Sequence, residues 1–336
     1  MRTLAVLLLT AAPAFAEGDL FIYTWGEYTP PDLVAKFEKE FGVKVHIDSY
    51  DSMETMIAKL RAGGAGYDVI VPGDATMQVL IAEDMVEKID VFAMPNFANV
   101  DEKWREVYWD PKREYSAPWA WGSTAFAVDT AVVTGDHSSL AVLFDPAEEV
   151  KGRINMLRDM NDVINMAERY LGVPRCSENP DEMKRVLELL ETQKEWVKSY
   201  DSETKEVLVY SEAVVSMSWN GYAMRARDEK PTIAYVYPKE GYTGWMDNVA
   251  VAKGAPNLDN AKAWVNFIMA PENAAMITNY ARYSNGIKGS EAFIDPALAA
   301  APEINPPADA PAPEFIPTCS PEATALVDKV WTKLMN

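Results

Sequence analysis

The chain has 336 residues, 49% of them hydrophobic, and a formal net charge of −20. Domains run to roughly 100–200 residues, so the length suits two lobes, and the apolar share is ample for two cores. So acidic a surface repels phosphate backbones and anionic lipid and draws in cations, which argues against a nucleic-acid partner; it also serves plain solubility. His46 and His137 stand alone, and Cys176 and Cys319 are far apart, so no zinc-ligand spacing exists and no cofactor is expected. There is no calcium loop and no G-x-S-x-G nucleophile elbow, and no Lys-Ser/Thr follows the glycine-rich Gly63-Gly64-Ala65-Gly66 to form a phosphate cradle.

In chain order, the first residues read as an export signal over residues 1–16. Arg2 supplies the positive region, Leu4 to Thr10 the apolar run, and Ala14-Phe15-Ala16 the cleavage site before Glu17. The apolar run is shorter than the roughly 20 residues a membrane span needs, and no comparable run follows. No cysteine marks the cleavage site, so the expectation is a free, unlipidated protein in a periplasm. In that compartment an even cysteine count invites a Cys176–Cys319 disulfide, whose long loop would contribute about 4–5 kcal/mol in the chain-entropy model; a free pair is the alternative.

Asp19 to Thr24 predicts a strand, Pro30-Pro31 a helix start, and Gly42 its end. Val43 to Ile47 and Tyr67 to Val71 predict further strands, with helices over Ser52 to Leu60 and Thr76 to Ile89. This β-α-β-α-β-α rhythm predicts an α/β fold with a doubly wound sheet, whose ligands sit beyond the carboxyl ends of the strands. Trp25-Gly26-Glu27-Tyr28 and Pro72-Gly73-Asp74 each follow such a strand. Tyr115 to Val128 predicts an extended crossing segment. Beyond it come a strand at Ile154 to Leu157, helices over Asp162 to Leu171 and Asp181 to Ser199, and a strand at Val214 to Trp219. Trp245 to Ala252 predicts a strand returning to the first lobe, followed by helices over Leu258 to Met269 and Glu272 to Tyr280. A proline-rich surface wrap over Pro296 to Pro317 and a closing helix over Thr324 to Leu334 complete the chain.

Several distant stretches set rings beside acids or amides: Trp25-Gly26-Glu27-Tyr28, Trp219-Asn220-Gly221-Tyr222 and Trp245-Met246-Asp247, with Asp159 and Asp162 as an acid pair. Aromatic faces attract cations, and carboxylates add charge-assisted hydrogen bonds, so together they predict a pocket for an organic cation. Plainer readings stand beside each. Asp159 and Asp162 open a helix and suit its N-cap and first turn. Trp219 and Trp245 suit core positions, whereas Trp25 and Tyr28 lie in a loop, where large rings are harder to assign to a core. Trp104, Trp119 and Trp121 read as packing.

These stretches carry a resemblance. The sequence resembles the periplasmic spermidine/putrescine-binding proteins, the substrate receptors of polyamine ABC transporters. The likeness runs from about Leu20 to about Asn285, through Tyr23-Thr24-Trp25-Gly26-Glu27-Tyr28-Thr29-Pro30-Pro31, Tyr67-Asp68-Val69-Ile70-Val71-Pro72, Trp219-Asn220-Gly221 and Pro238-Lys239-Glu240-Gly241 leading to Trp245-Met246-Asp247. It implies a two-lobed periplasmic binding protein fold (type II-like) with the ligand cleft between discontinuous lobes. One lobe would hold residues 17–124 plus 246–292 and the other 125–245 plus 293–336, with hinge strands near Ser123 to Val128 and Gly244 to Val249. By match of position, Trp25, Tyr28, Trp219, Trp245 and Tyr283 correspond to the family's aromatic box. Asp159, Asp162 and Asp247 correspond to its amine-pairing acids, and Gly26, Glu27 and Gly73 supply hydrogen bonds at one end. An inner-membrane ABC permease would be the protein partner of a monomeric receptor that performs no catalysis.

Departures from the family pattern bear on ligand choice. Gly26 stands where the family offers a hydroxyl, and Gly73-Asp74-Ala75 replaces a serine followed shortly by a tyrosine, so that end loses a hydroxyl and a ring and gains Asp74. The family's late glutamine has no match in Glu314 to Thr318. The resemblance therefore leaves polyamine length open, and other organic cations such as agmatine, cadaverine or a quaternary amine remain competitors. A secreted hydrolase using Asp159 and Asp162 as paired acids is the rival of a different class.

Overall fold

A computed structural model of the chain describes residues 18–63 and 66–336. The expected export signal lies outside these residues. In order, the elements are β1 (Gly18–Trp25), α1 (Pro31–Phe41), β2 (Val43–Tyr50), α2 (Met53–Arg61), β3 (Val69–Ile70), α3 (Asp74–Ala82) and β4 (Ser116–Asp129). There follow α4 (Ala141–Phe144), β5 (Ile154–Met156), α5 (Met160–Leu171), α6 (Pro180–Lys194), β6 (Val197–Tyr200), α7 (Thr204–Val209), β7 (Val215–Trp219) and α8 (Asn220–Glu229). The chain closes with β8 (Ile233–Val236), β9 (Thr243–Val251), α9 (Leu258–Ile268), α10 (Pro271–Ala281), α11 (Pro296–Ala299), β10 (Glu314–Phe315) and α12 (Pro321–Met335).

Local chemistry accounts for the first elements. Pro31 occupies the first position of α1, where its missing N–H costs nothing, and Gly42 ends that helix at φ 69°. The Ser52 hydroxyl caps α2 by accepting from the Thr55 amide. The strands run in the order β2-β1-β3-β9-β4-β7-β5-β6. β1 pairs in parallel with β2 and β3, and β5 with β6 and β7, whereas β4 and β9 run antiparallel to each other, β9 antiparallel to β3 and β4 antiparallel to β7. The sheet is therefore mixed: two parallel halves joined through two long crossing strands.

Apolar burial divides along the same line, in a two-lobed α/β fold. One core gathers Leu20, Ile22, Phe37, Met77 and Trp119 with Met246, Val249 and Trp264. The other gathers Phe126, Val128, Ile154, Val163, Leu190 and Met217 with Val327 and Leu334 of α12. β4 passes from the first core at Trp119 and Ala120 to the second at Phe126 and Val128. Its register against β9 slips between Pro118 and Ala120, as a bulge accommodates a proline that has no ladder donor.

Four expected elements differ. β2 runs on to Tyr50 rather than stopping at Ile47. α3 starts at Asp74 and ends at Ala82, because Asp84 turns at φ 53° and Val86 is drawn into a bridge with Ala252 of the β9 edge. The long helix expected to Ser199 ends at Lys194, and Val197–Tyr200 becomes an edge strand on β5. The proline-rich wrap contains α11 and β10, the latter paired in parallel with Thr243 and Gly244. In each case a tertiary partner outweighs local propensity. The disulfide is present: Cys176 is bonded to Cys319.

One buried knot sets the face that β9 shows to each side. Arg113 is fully buried and donates to Asn248 Oδ1 at 2.8 Å, to the Trp104 carbonyl at 2.8 Å and to Ser116 Oγ at 3.2 Å. Trp109 Nε1 donates to the same Asn248 oxygen at 3.0 Å, and Asp110 accepts from the Ser116 amide at 2.9 Å. Burial pulls the Arg113 guanidinium down to about 10, which still leaves it charged at neutral pH. Successive strand residues point to opposite faces, so holding Asn248 and Met246 in the knot turns Trp245 and Asp247 the other way. Arg113→Met strands those acceptors and is expected to lower unfolding free energy by about 3 kcal/mol. Arg61→Met at an exposed ion pair should stay within about 0.5 kcal/mol. Equal urea midpoints for the two variants would contradict this account.

Candidate binding cleft

The carboxyl ends of both parallel halves open onto one cavity of about 810 Å³. That is within the roughly 300–1,000 Å³ usual for small-molecule sites. β1 delivers Trp25 to its wall, β2 delivers Tyr50, and the turn before α3 delivers Gly73. From the other half, Asp159 and Asp162 stand at the start of α5, and Trp219 ends β7 just before α8. Trp245 and Asp247 come from β9, and Tyr283 from the turn after α10.

Of the residues singled out from sequence, Trp25, Gly26, Tyr28, Gly73, Asp74, Asp159, Asp162, Trp219, Trp245, Asp247 and Tyr283 all line this cavity. Glu27 does not. Its carboxylate turns outward to Arg225, 3.2 Å away, while the Arg225 guanidinium lies 4.2 Å over the Tyr222 ring. Among the lining residues that the sequence did not single out are the rings Tyr50 and Tyr222 and the acids Glu54 and Glu203. Tyr50 was lost with the underestimated length of β2, and Tyr222 lay in a quoted stretch, a residue past Trp219-Asn220-Gly221. Glu54 and Glu203 are exposed acids that the sequence does not distinguish from any solvated glutamate.

The rings touch one another. Trp25 lies 6.1 Å from Trp219 and 4.7 Å from Tyr50 between centroids, and Tyr283 lies 5.1 Å from Trp245 and 5.9 Å from Tyr28. Two glycines permit this closeness. A Cβ on Gly221 would meet the Tyr283 ring at 2.5 Å, and one on Gly122 would meet the Trp245 ring at 2.7 Å. Polar bonds orient the wall: Tyr28 OH donates to Asp247 Oδ2 at 2.7 Å, and Trp219 Nε1 donates to Asp162 Oδ2 at 2.8 Å. Asp159 caps α5 by accepting from the Asp162 amide at 2.9 Å. The capping reading of Asp159 therefore holds, and both acids also line the cavity.

The acids carry the electrostatics. Asp247 is 8% exposed, and burial, reinforced by the charges of Asp74 and Asp162, pushes it up to about 7 against the pull of the Tyr28 bond. Burial likewise pushes Asp74 up to about 7, outweighing its bond from the Ala75 amide and the nearby Tyr108 hydroxyl; its Oδ2 makes no hydrogen bond of ordinary geometry. Asp159 and Asp162 are both raised, chiefly by burial; for Asp159 the facing charge of Asp162 adds to this, while the Trp219 bond partly relieves Asp162. Among the described residues, no lysine, arginine or histidine is a leading influence on any of the four. Burying carboxylates without counter-charge destabilises the empty fold, and a cation entering the cleft relieves it.

Two lobes, two crossing strands and a cavity walled from both sides define a two-lobed binding protein. Residues 32–306 match the family model described as bacterial extracellular solute-binding protein, and the chain belongs to that family. It is 33% identical to the spermidine/putrescine-binding periplasmic protein of Escherichia coli K12, over 90% of this chain and 87% of that one. It is 30% identical to the putrescine-binding periplasmic protein SpuD of Pseudomonas aeruginosa, over 99% and 96% of the two chains. A solved structure from Listeria monocytogenes, described as belonging to a spermidine/putrescine ABC transporter, superposes with a TM-score of 0.88 at 27% identity, over 94% of this chain and 98% of that one.

A raised carboxyl pKa favours the folded state below the unfolded value near 3.9, and the advantage is lost as pH rises through the folded value. For Asp74 and Asp247 that window runs from about 4 to about 7. The unliganded protein should therefore melt at lower temperature at pH 8 than at pH 5.5. Asp74→Asn with Asp247→Asn should flatten that slope. A slope unchanged by the double substitution would count against these two groups as its source.

Proposed function

We propose that this protein captures a polyamine of the putrescine and spermidine class in the periplasm and delivers it to an inner-membrane ABC permease. The single observation that carries the reading is the meeting of five rings and four unpaired acids on one cavity, drawn from segments more than 200 residues apart. In this reading Trp25, Tyr28, Trp219, Trp245 and Tyr283 sheathe the methylene chain and face its charge. Asp247 with Asp74 holds one terminal ammonium, and Asp159 with Asp162 holds the other. Gly26 and Gly73 let the ligand approach backbone, and Glu27 acts from the rim through Arg225. The lobes are residues 17–124 plus 246–292 and 125–245 plus 293–336, a division that the two hydrophobic cores support. The names of the relatives support the ligand class and the compartment, and membership in a solute-binding family supports a receptor that performs no catalysis.

The energetics suit reversible capture. Cation–π contacts contribute about 0.5–2 kcal/mol each and charged hydrogen bonds roughly 1.5–3. Micromolar affinity needs only about 8 kcal/mol net, which leaves room for the ordering costs of association. A second reading, a ligand with a many-donor end such as agmatine, is favoured by one observation. Asp74 places an additional acid, with an unpartnered oxygen, at the Asp247 end.

A thermal-shift and calorimetry panel of putrescine, cadaverine, spermidine, spermine, agmatine and choline tests both readings. Putrescine or spermidine should bind one-to-one without turnover and raise the melting temperature by mass action. A panel in which no polyamine binds rejects the proposal. Asp247→Asn should weaken binding roughly 30-fold or more, the scale of losing one charged hydrogen bond in a buried site. Trp25→Ala and Trp245→Ala should cost more affinity than Trp104→Ala, whose ring packs on Trp121 and Phe315 away from the cavity. Equal losses from all three would make the rings structural.

The ligand reading also predicts proton release. An ammonium that lowers the raised carboxyl values displaces protons below about pH 7, so affinity should fall as pH drops from 8 to 5.5. Calorimetry in buffers of different ionisation enthalpy measures the protons directly. Proton uptake, or tighter binding at pH 5.5, would contradict the assigned charge states.

A further inference from the structure

The segment from Glu314 to Cys319 crosses the cleft and is tied to both sides of it. Toward the second core, Glu314 pairs with Arg169 of α5 at 2.8 Å, and Cys319 is bonded to Cys176 in the turn after α5. Toward the first core, Phe315 meets Trp104 edge to face at 5.7 Å, and the Ile316 carbonyl accepts from Tyr108 OH at 3.2 Å. Thr318 binds α3 twice: its amide donates to Gln78 Oε1 at 2.9 Å and its hydroxyl to the Ala75 carbonyl at 2.7 Å. Ile316 to Cys319 line the main cavity. A smaller hollow of about 330 Å³ is also walled by this segment; its Glu314 and Phe315 pair with Thr243 and Gly244 of β9, and Ile316 to Cys319 stand off the body as a strap.

The two sets of ties differ in kind. The attachment to the second core is covalent. The attachment to the first is a few hydrogen bonds and an edge contact, exposed at Thr318 and individually weak. If the lobes part, the strap must stay with the second core and leave the first. We infer that Thr318 is a positioning residue: with Gln78 and the Cys176–Cys319 bridge it latches the cleft shut and sets how fast a bound ligand escapes. The disulfide keeps the latch in register by denying the strap the freedom to peel from its anchored end. Both effects act on closure, so they bear on dissociation more than on encounter.

This inference rests on the polyamine reading only for the choice of probe. Stopped-flow and calorimetry with putrescine and spermidine would compare the intact protein with Thr318→Val/Gln78→Ala and with Cys176→Ser/Cys319→Ser. Each double variant should release ligand about ten-fold faster, with the association rate within about two-fold of the parent. Mild reduction of the parent should reproduce the cysteine result without any substitution. Dissociation rates equal to the parent in both variants and after reduction would overturn the latch.

Should neither polyamine bind the parent protein, the functional reading fails and the latch is judged without ligand. Small-angle scattering should show the latch variants more open than the parent, and hydrogen exchange at the Thr318 amide should quicken at least ten-fold on reduction. An unchanged radius of gyration together with unchanged Thr318 exchange would sink it.

Discussion

Charge burial without internal compensation is the constraint around which this molecule is arranged. Asp74 and Asp247 are each more than nine-tenths buried, Asp159 and Asp162 stand close by at the start of α5, and none of the four has a cationic partner among the described residues. Isolated buried carboxylates respond by holding protons, which is what their raised values express. The cost is tolerable because two large cores supply stability elsewhere, and because Tyr28 and Trp219 each satisfy one oxygen. A site built this way is poised for a positive guest.

The sheet makes such a site possible. Parallel strands end together, so the chain segments leaving them converge on one edge, and here two parallel halves point their carboxyl ends into the same cleft. β4 and β9 cross between the halves; β4 serves both cores, whereas the buried apolar residues of β9 belong to the first. The Arg113–Asn248 knot then turns alternate residues of β9 toward the cavity. A change far from the cavity at Arg113 thus reaches Asp247 through strand alternation, without any contact between the two.

The C-terminal strap adds a constraint of another kind. It supplies cavity wall, yet its ties are uneven, covalent toward α5 and hydrogen-bonded toward α3. An uneven tie gives a moving part a defined place to break, which a uniformly bonded wall lacks.

Much was legible in the sequence because the signals were local. Strand and helix alternation, the Pro30-Pro31 start, the Gly42 stop and the Asp159 cap all follow from residues interacting with near neighbours. Rings placed in loops beside acids pointed to segments that line the cavity for the same reason, although Tyr28 is buried in the first core as well. What stayed hidden depended on partners distant in the chain. Tyr50 needed the full pairing of β1 with β2, and the early end of α3 needed the β9 edge beside Val86. Val197–Tyr200 became a strand only against β5, Glu27 turned from the cavity to Arg225, and Asp74 met Asp247 only through the Gly73 bridge. Chain order by itself determined which kinds of groups were available and which lay at strand ends. Only the tertiary structure decided which of them share a low-dielectric space, because desolvation and charge coupling depend on distance in space rather than distance along the chain.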